Sequence, residues 1–415
     1  MTGRRSAGIS RRNLLTGTAG LAGLGVGAAA VGLSVDRTPA QAAAGGQTVP
    51  FYGARQAGVT TAPQAHANFV GLNLIDPGDV ASLAGVLNVW TQDAAGLTTG
   101  RGSLADTEPE LATDPSRLTV TVGLGPRVFE APSLRAKRPG WLRPLPAFSI
   151  DRLQERWGQT DVLLQIGSDD PVTLAHATRM LTASVRSKLR VGWVQRGFRT
   201  ARGTHTDGRT MRNLFGQVDG TVQPPGDRDD LLWEDGSGGQ PWLAGGTSLV
   251  LRRIAMHMDT WEELDRPGRE LAVGRTLDSG APLSGSREHD DPDFTKTEGG
   301  IPMIPASSHI ARAHRQADHE QFLRRAYNYD EPPEQSLLPE QSLLPEPVEG
   351  GDTSNSGLIF ATYQRDPVRQ FVPVQQRLAD HDDLNTWTTP IGSAVYVILP
   401  GATEQSPLGS SLFTP

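Results

Sequence analysis

The chain contains no cysteine. That excludes structural disulfides, thiolate-ligated haem, iron–sulfur clusters and covalent haem attachment through C-x-x-C-H. Positive charge is also short: 39 Lys and Arg face 46 Asp and Glu, for a formal net charge of −7. With no basic cluster in the body of the chain, a nucleic-acid partner is not expected. Beyond the amino terminus, no run is long and apolar enough to span a bilayer. What is present is 415 residues, 37% hydrophobic and 20% charged, enough for two domains or one large one with a substantial core.

The amino terminus reads as a targeting segment. Ser10-Arg11-Arg12-Asn13-Leu14-Leu15-Thr16 matches the twin-arginine export pattern, and a glycine-rich, weakly apolar run follows to about Leu33. Ala40-Gln41-Ala42 then offers a small-x-small cleavage site. Residues 1–42 are therefore set apart from the fold as a signal peptide. A membrane anchor fits less well, given the many Gly and Ala residues and the cleavage pattern. The expected location is exported: extracellular, cell-envelope or periplasmic. The twin-arginine route carries folded proteins, often with a cofactor already inserted.

In the remaining chain, strand patterns occur at 69–75, 118–124, 162–166 and 191–194, with helical patterns at 78–93 and 171–187. A second set repeats the alternation: strands at 248–251, 358–363 and 394–399, with helices at about 258–267 and 366–386. Two similar halves predict an α+β fold of two ferredoxin-like domains, 43–222 and 223–415. Each would be an antiparallel sheet with helices. Residues 331–350 contain PEQSLL twice, followed by Pro345-Glu346-Pro347. Such a segment cannot form a regular helix or a central strand, so it is read as a low-complexity surface insertion.

Three residue groups carry candidate chemistry. Gly216-Gln217-Val218-Asp219-Gly220-Thr221 places a carboxylate in a turn pinned by Gly216 and Gly220, where a missing β-carbon allows close approach to a flat cofactor. Ser308-His309-Ile310 offers an imidazole able to ligate a metal. Leu323-Arg324-Arg325 offers a permanent cation. Together they form the set a haem peroxidase needs: a metal ligand, an acid/base for peroxide and a positive group for the departing oxygen. Each has a plainer reading, as a turn aspartate, a surface histidine and a solvated helix end.

Taken in order, these markers resemble the dye-decolourising peroxidases, in particular the exported twin-arginine type associated with bacterial iron uptake (deferrochelatase/peroxidase). The resemblance spans nearly all of the mature chain. It includes Phe51-Tyr52-Gly53, Gln56-Ala57-Gly58, Leu118 to Gly123, Gly216 to Thr221, Ser308-His309-Ile310, Leu323 to Tyr327, Gly357 to Phe360, and Pro390-Ile391-Gly392 through Leu399-Pro400-Gly401. It implies two ferredoxin-like domains of the dimeric α+β barrel superfamily, with haem b held non-covalently, largely by the second. Asp219 would be the distal acid/base, Arg324 the distal cation and His309 the proximal iron ligand. Gly216, Gly220 and Thr221 would border the cofactor, and Leu358 and Phe360 would line the distal pocket. Asp382 or Asp383 would hydrogen-bond His309.

Two departures stand out. Relatives often carry arginine two residues after the proximal histidine, whereas Ala311 stands there and Arg312 follows; Arg312 is then the candidate for a haem propionate. The interval from His309 to Arg324 is also short for the group, leaving Arg325 as an alternative cation. The implied function is reduction of hydrogen peroxide coupled to one-electron oxidation of dyes or other small aromatic donors. An aspartate acid/base would favour turnover below neutral pH. The rival is a haem-handling protein that releases iron from haem, with iron-uptake partners; a homo-oligomer stays open.

Overall fold

The computed structural model describes residues 44–103, 105–205, 208–332 and 354–414. The expected signal peptide lies outside these residues, as does the repeat insertion apart from Glu331 and Pro332. The strands are β1 (His66–Leu74), β2 (Thr119–Leu124), β3 (Val162–Ser168), β4 (Leu189–Phe198), β5 (Thr247–Met256), β6 (Thr297–Glu298), β7 (Ile301–Pro302), β8 (Leu323–Arg324), β9 (Tyr327–Glu331), β10 (Asn355–Gln364) and β11 (Thr388–Ile398). The helices are α1 (Val80–Leu97), α2 (Pro171–Ala183), α3 (Asp229–Leu232), α4 (Met258–Glu262), α5 (Arg266–Val273), α6 (His309–Ala313), α7 (Pro367–His381) and α8 (Ser410–Phe413).

The crossover helices share one starting device. Asp170 and Asp366 cap α2 and α7 by accepting from Thr173 N at 2.7 Å and Val368 N at 2.8 Å, and a proline follows each cap. Proline suits the first helical position because its missing N–H would be unpaired there anyway. Asp79 caps α1 through Ser82 N at 2.8 Å.

The first half runs β1-α1-β2-β3-α2-β4 with spatial order β2-β3-β1-β4, all antiparallel. The second half repeats that order as β11-β5-β10-β9, with α7 between β10 and β11. Both are ferredoxin-like sheets, as expected. They share edges: β11 pairs with β2 through Val397↔Leu124 and Ile398↔Gly123, and β4 meets β9 at Phe198↔Asn328. The sheet therefore closes on itself, because β5 also pairs with both β10 and β11.

Closure divides the side chains by strand alternation. One buried set holds Phe69, Leu163, Leu249, Leu251, Ile359 and Ala361 together with Tyr327, Tyr329, Tyr363 and Tyr396. Those four are all but one of the tyrosines in the chain. The largest apolar cluster joins the opposite face of the first-half strands to α1 and α2, around Trp90, Leu87, Val122 and Leu164. A third, smaller cluster lies against the second half and includes Leu358 on β10.

The observed elements correct the expected ones in three places. The helix expected at 258–267 is two helices, because Asp265 accepts from Gly268 N at 2.8 Å and starts a new helix with Pro267 in its first turn. The helix expected at 366–386 stops at His381, and Asp382 turns the chain. Strands β8 and β9 were not anticipated; they contain Arg324, so the helix-end reading of that segment is overturned.

Two phenols bridge the halves inside the closed sheet. Tyr363 donates to Gln165 Oε1 at 2.5 Å, and Tyr396 meets Thr160 Oγ1 at 2.7 Å. Burial pushes both phenols well above the ordinary tyrosine range. Removing the Tyr363 hydroxyl strands a buried amide oxygen, which costs about 1–3 kcal/mol. Tyr363→Phe should lower the chemical-denaturation midpoint accordingly, with an unchanged slope against denaturant.

Candidate active site

Met211 to Asp219 form a short hairpin. Arg212 bridges Val218, Asn213 N donates to Gln217 O at 3.0 Å, and Asp219 N donates to Met211 O at 2.9 Å. Gly216 sits at its tip with φ +80°, in the left-handed region where a side chain is disfavoured. A β-carbon there would meet only Leu277 at 3.9 Å, so the turn itself, not crowding by the protein, demands glycine. The hairpin presents the Asp219 carboxylate toward Arg324, with Nη1 to Oδ1 at 3.7 Å, while Asn213 Nδ2 reaches Oδ2 at 3.4 Å.

The residues after this hairpin hold Arg324. Gln223 accepts from Arg324 N at 2.9 Å and donates to its carbonyl at 3.1 Å, and Val222 O accepts from Arg324 Nη2 at 2.7 Å. Carboxylate and guanidinium are thus fixed by one continuous segment. Arg325 borders the same cleft, but its guanidinium is committed to the first half. Its Nη2 donates to Gln64 Oε1 at 2.5 Å, its Nη1 to the Thr61 carbonyl, and only 2% of the residue is exposed. Neighbouring residues on an extended chain face opposite ways. Arg325 ties the two halves together and is not the alternative cation.

His309 opens α6, and Nδ1 donates to Asp382 Oδ2 at 2.6 Å. Asp382 is buried, and its other oxygen accepts from Leu384 N at 3.0 Å. Asp383 instead accepts from Ser307 Oγ at 2.6 Å, so of the two acids Asp382 is the partner of the imidazole. The break after α7 exists at the point where Asp382 must reach His309. Gly274, at φ +85° after α5, lets Ser308 and Ile310 approach; a β-carbon there would lie 2.7 Å from Ile310.

Burial by itself would depress the His309 imidazole. The Asp382 carboxylate outweighs it by charge and hydrogen bond, so the net shift is upward. Asp219 adds to that rise and Arg324 opposes it, so the carboxylate–guanidinium pair lies within electrostatic reach of His309. Nδ1 is committed, Nε2 is left for a metal, and 34% of the His309 side chain stays accessible although the surroundings are dense.

The third apolar cluster lies beside these groups. It joins Met211 and Phe215 from the Asp219 hairpin, Leu358, Ile254 and Met256 from the sheet, and Leu384 and Trp387 from the segment after Asp382, with Phe360 against it. Leu358 and Phe360 share one strand face, as expected. Arg312 lies three residues after His309 on α6, and its buried Nε has no partner among the described residues. Gln217 is 3% exposed, and neither amide atom has a partner among the described residues. Orphaned polar atoms, an apolar cluster and a carboxylate-held imidazole fit haem, whose ring is apolar and whose propionates are anionic.

Thr221 was expected to border the cofactor; its hydroxyl donates to Glu288 Oε1 at 3.0 Å. Gly220 adopts φ +120° beside Thr210. A cleft of about 220 Å³ reaches Asp219, Gly220 and Arg324 from the surface. The larger surface cavity, about 590 Å³, is lined by Asn73, Arg127, Asp161 and Arg190 and contains none of the expected site residues. Gln223 and Asn213, which position the pair, were not anticipated. Nothing in their local sequence separates them from ordinary polar loop residues.

Comparison with known proteins agrees with this geometry. Residues 56–199 match the family model described as Dyp-type peroxidase, N-terminal, and residues 210–403 match Dyp-type peroxidase, C-terminal. The chain is 35% identical to a dye-decolorizing peroxidase of Thermobifida fusca, over 98% of this chain and 97% of that one. It is 31% identical to a deferrochelatase of Escherichia coli, over 97% and 96%. A crystal structure of a DyP-type peroxidase from Cellulomonas bogoriensis superposes with a TM-score of 0.83 at 49% identity, covering 90% of this chain and all of that one. The chain belongs to the Dyp-type peroxidase family and is a haem-dependent peroxidase.

Proposed function

We propose that His309 ligates haem iron through Nε2, with Asp219 as the acid/base and Arg324 as the stabilising cation for peroxide reduction. One observation carries this reading: the segments bearing His309's partner Asp382 and the Asp219–Arg324 pair pack into one apolar cluster. Arg312 supports a propionate, and Leu358 with Phe360 restricts the pocket to small oxidants. Bound haem supplies the iron at which peroxide is reduced.

The side chains then account for protons and charge. Asp382 keeps the Nδ1 proton on the side away from the pocket and raises the donor strength of Nε2. Asp219 takes a proton from one peroxide oxygen and returns it to the other, which leaves as water. Arg324 carries its charge without titrating and offsets the negative charge that develops as the O–O bond breaks. Hydrogen peroxide takes up two electrons and two protons overall, and dyes or other aromatic donors release those electrons singly. Division into two domains is part of the same reading, in keeping with two separate family matches; these part between 199 and 210, so residues 210–222, which the 222/223 boundary gives to the first domain, fall within the second match.

Export through the twin-arginine route is proposed from Arg11-Arg12 and Ala40-Gln41-Ala42. Replacing both arginines with lysine should retain the protein in the cytoplasm, as cell fractionation would show. A release of iron from haem is the second reading, favoured by deferrochelatases that are 31–32% identical over most of the chain. Iron-free protoporphyrin accumulating without peroxide would favour it.

Stopped-flow mixing with peroxide tests the catalytic assignment. Asp219→Asn and Arg324→Leu should each slow the first step by roughly 100-fold or more while haem stays bound. An unaltered rate in both variants would refute the roles. Haem retention separates the two acids: Asp382→Ala should speed haem transfer to apomyoglobin by roughly tenfold or more. Asp383→Ala, whose carboxylate serves Ser307, should not.

A further inference from the structure

The cleft in front of Asp219 and Arg324 holds more positive charge than the reaction assigned to it requires. Its walls include Arg199, Arg209, Arg324 and Arg325 but one carboxylate, Asp219. That carboxylate, among the described residues, forms an ion pair with Arg324, at 3.7 Å. Among the described residues, the other three arginines make no ion pair. Arg199 Nε is satisfied by the Ala326 carbonyl at 2.9 Å and the Met211 sulfur at 3.0 Å, and its two Nη groups carry no hydrogen bond among the described residues. Burial pulls the Arg199 guanidinium below the ordinary arginine range, with Arg325 adding to the fall and Tyr327 and Asp219 opposing it. Arg209 stands exposed at the rim and, among the described residues, is bonded to His205 Nδ1 at 3.2 Å. Glu288 sits behind Thr210, accepts its hydroxyl at 2.5 Å, and does not line the cleft.

The Arg199 fork, whose two Nη groups are unengaged among the described residues, and the Arg209 guanidinium at the rim have the planar N–H geometry that matches an oxyanion. Thr60, Thr61 and Thr210 add hydroxyl groups to the wall. The volume suits an ion the size of acetate or phosphate and is too small for a dye. We propose that this cleft is a binding site for a small oxyanion, which when seated competes with peroxide for access to Asp219 and Arg324. The competition rests on the catalytic reading above; the binding itself does not.

Isothermal titration of the haem-loaded protein with inorganic phosphate, and separately with acetate, reads binding directly. One site is expected, weakened by about tenfold in Arg209→Gln and largely retained in Arg209→Lys. At constant ionic strength, phosphate should raise the apparent KM for peroxide and leave kcat unchanged. No phosphate or acetate heat, or equal affinity in Arg209→Gln, would overturn the site. So would faster haem loss from Arg209→Gln with no phosphate binding, because the cleft would then be serving a haem propionate. Binding without any change in KM would overturn the competition. Full activity in Asp219→Asn would defeat the catalytic reading while leaving the phosphate titration untouched, so the two failures are distinguishable.

Discussion

Closure of the sheet is the constraint on which the other features depend. An open ferredoxin-like half leaves two strand edges whose N–H and C=O groups must be paired or covered. Here the edges of one half, β2 and β4, are covered by β11 and β9 of the other. With both rims joined, the inward side chains are buried and mostly apolar, and of the phenols among them Tyr363 and Tyr396 reach partners across the sheet. The outward side chains of β10 then have a definite neighbourhood. Leu358 and Phe360 face the Asp219 hairpin and the Asp382 turn because Ile359 and Ala361 are committed to the interior.

The same closure explains why the reactive groups come from loops and short elements. The segment that joins the halves, residues 199–246, supplies Asp219 and the residues that hold Arg324. The chain between β5 and β9 supplies His309, and the end of α7 supplies Asp382. Each charged group is held by a carboxylate, an amide or a carbonyl, as low-dielectric surroundings require. Asp382 performs two tasks with two oxygens, starting the turn that follows α7 and restraining the imidazole at the head of α6.

Much of this was legible in one dimension. Alternating Thr and Val at 119–122 and Asp-Pro at 170 and 366 signal strands and helix starts by local physics. Gly216 and Gly220 bracket Asp219 because only glycine is at ease with positive φ there. The strands at 323–331 are not legible because paired arginines interrupt the apolar pattern, and their partners on β10 lie 24 to 40 residues later. The choice between Asp382 and Asp383 also could not be made, since both adjoin the same turn and only orientation separates them.

What the sequence alone determined is the set of elements, the two similar halves and the identities of the carboxylate, imidazole and guanidinium, because these follow from local periodicity and residue chemistry. Which arginine faces the carboxylate, which aspartate holds the imidazole, and how many cations share the cleft were decided only by the tertiary structure. Those properties depend on which side of a strand a residue faces and on what a distant loop brings opposite it. Neither is encoded within the reach of a single segment.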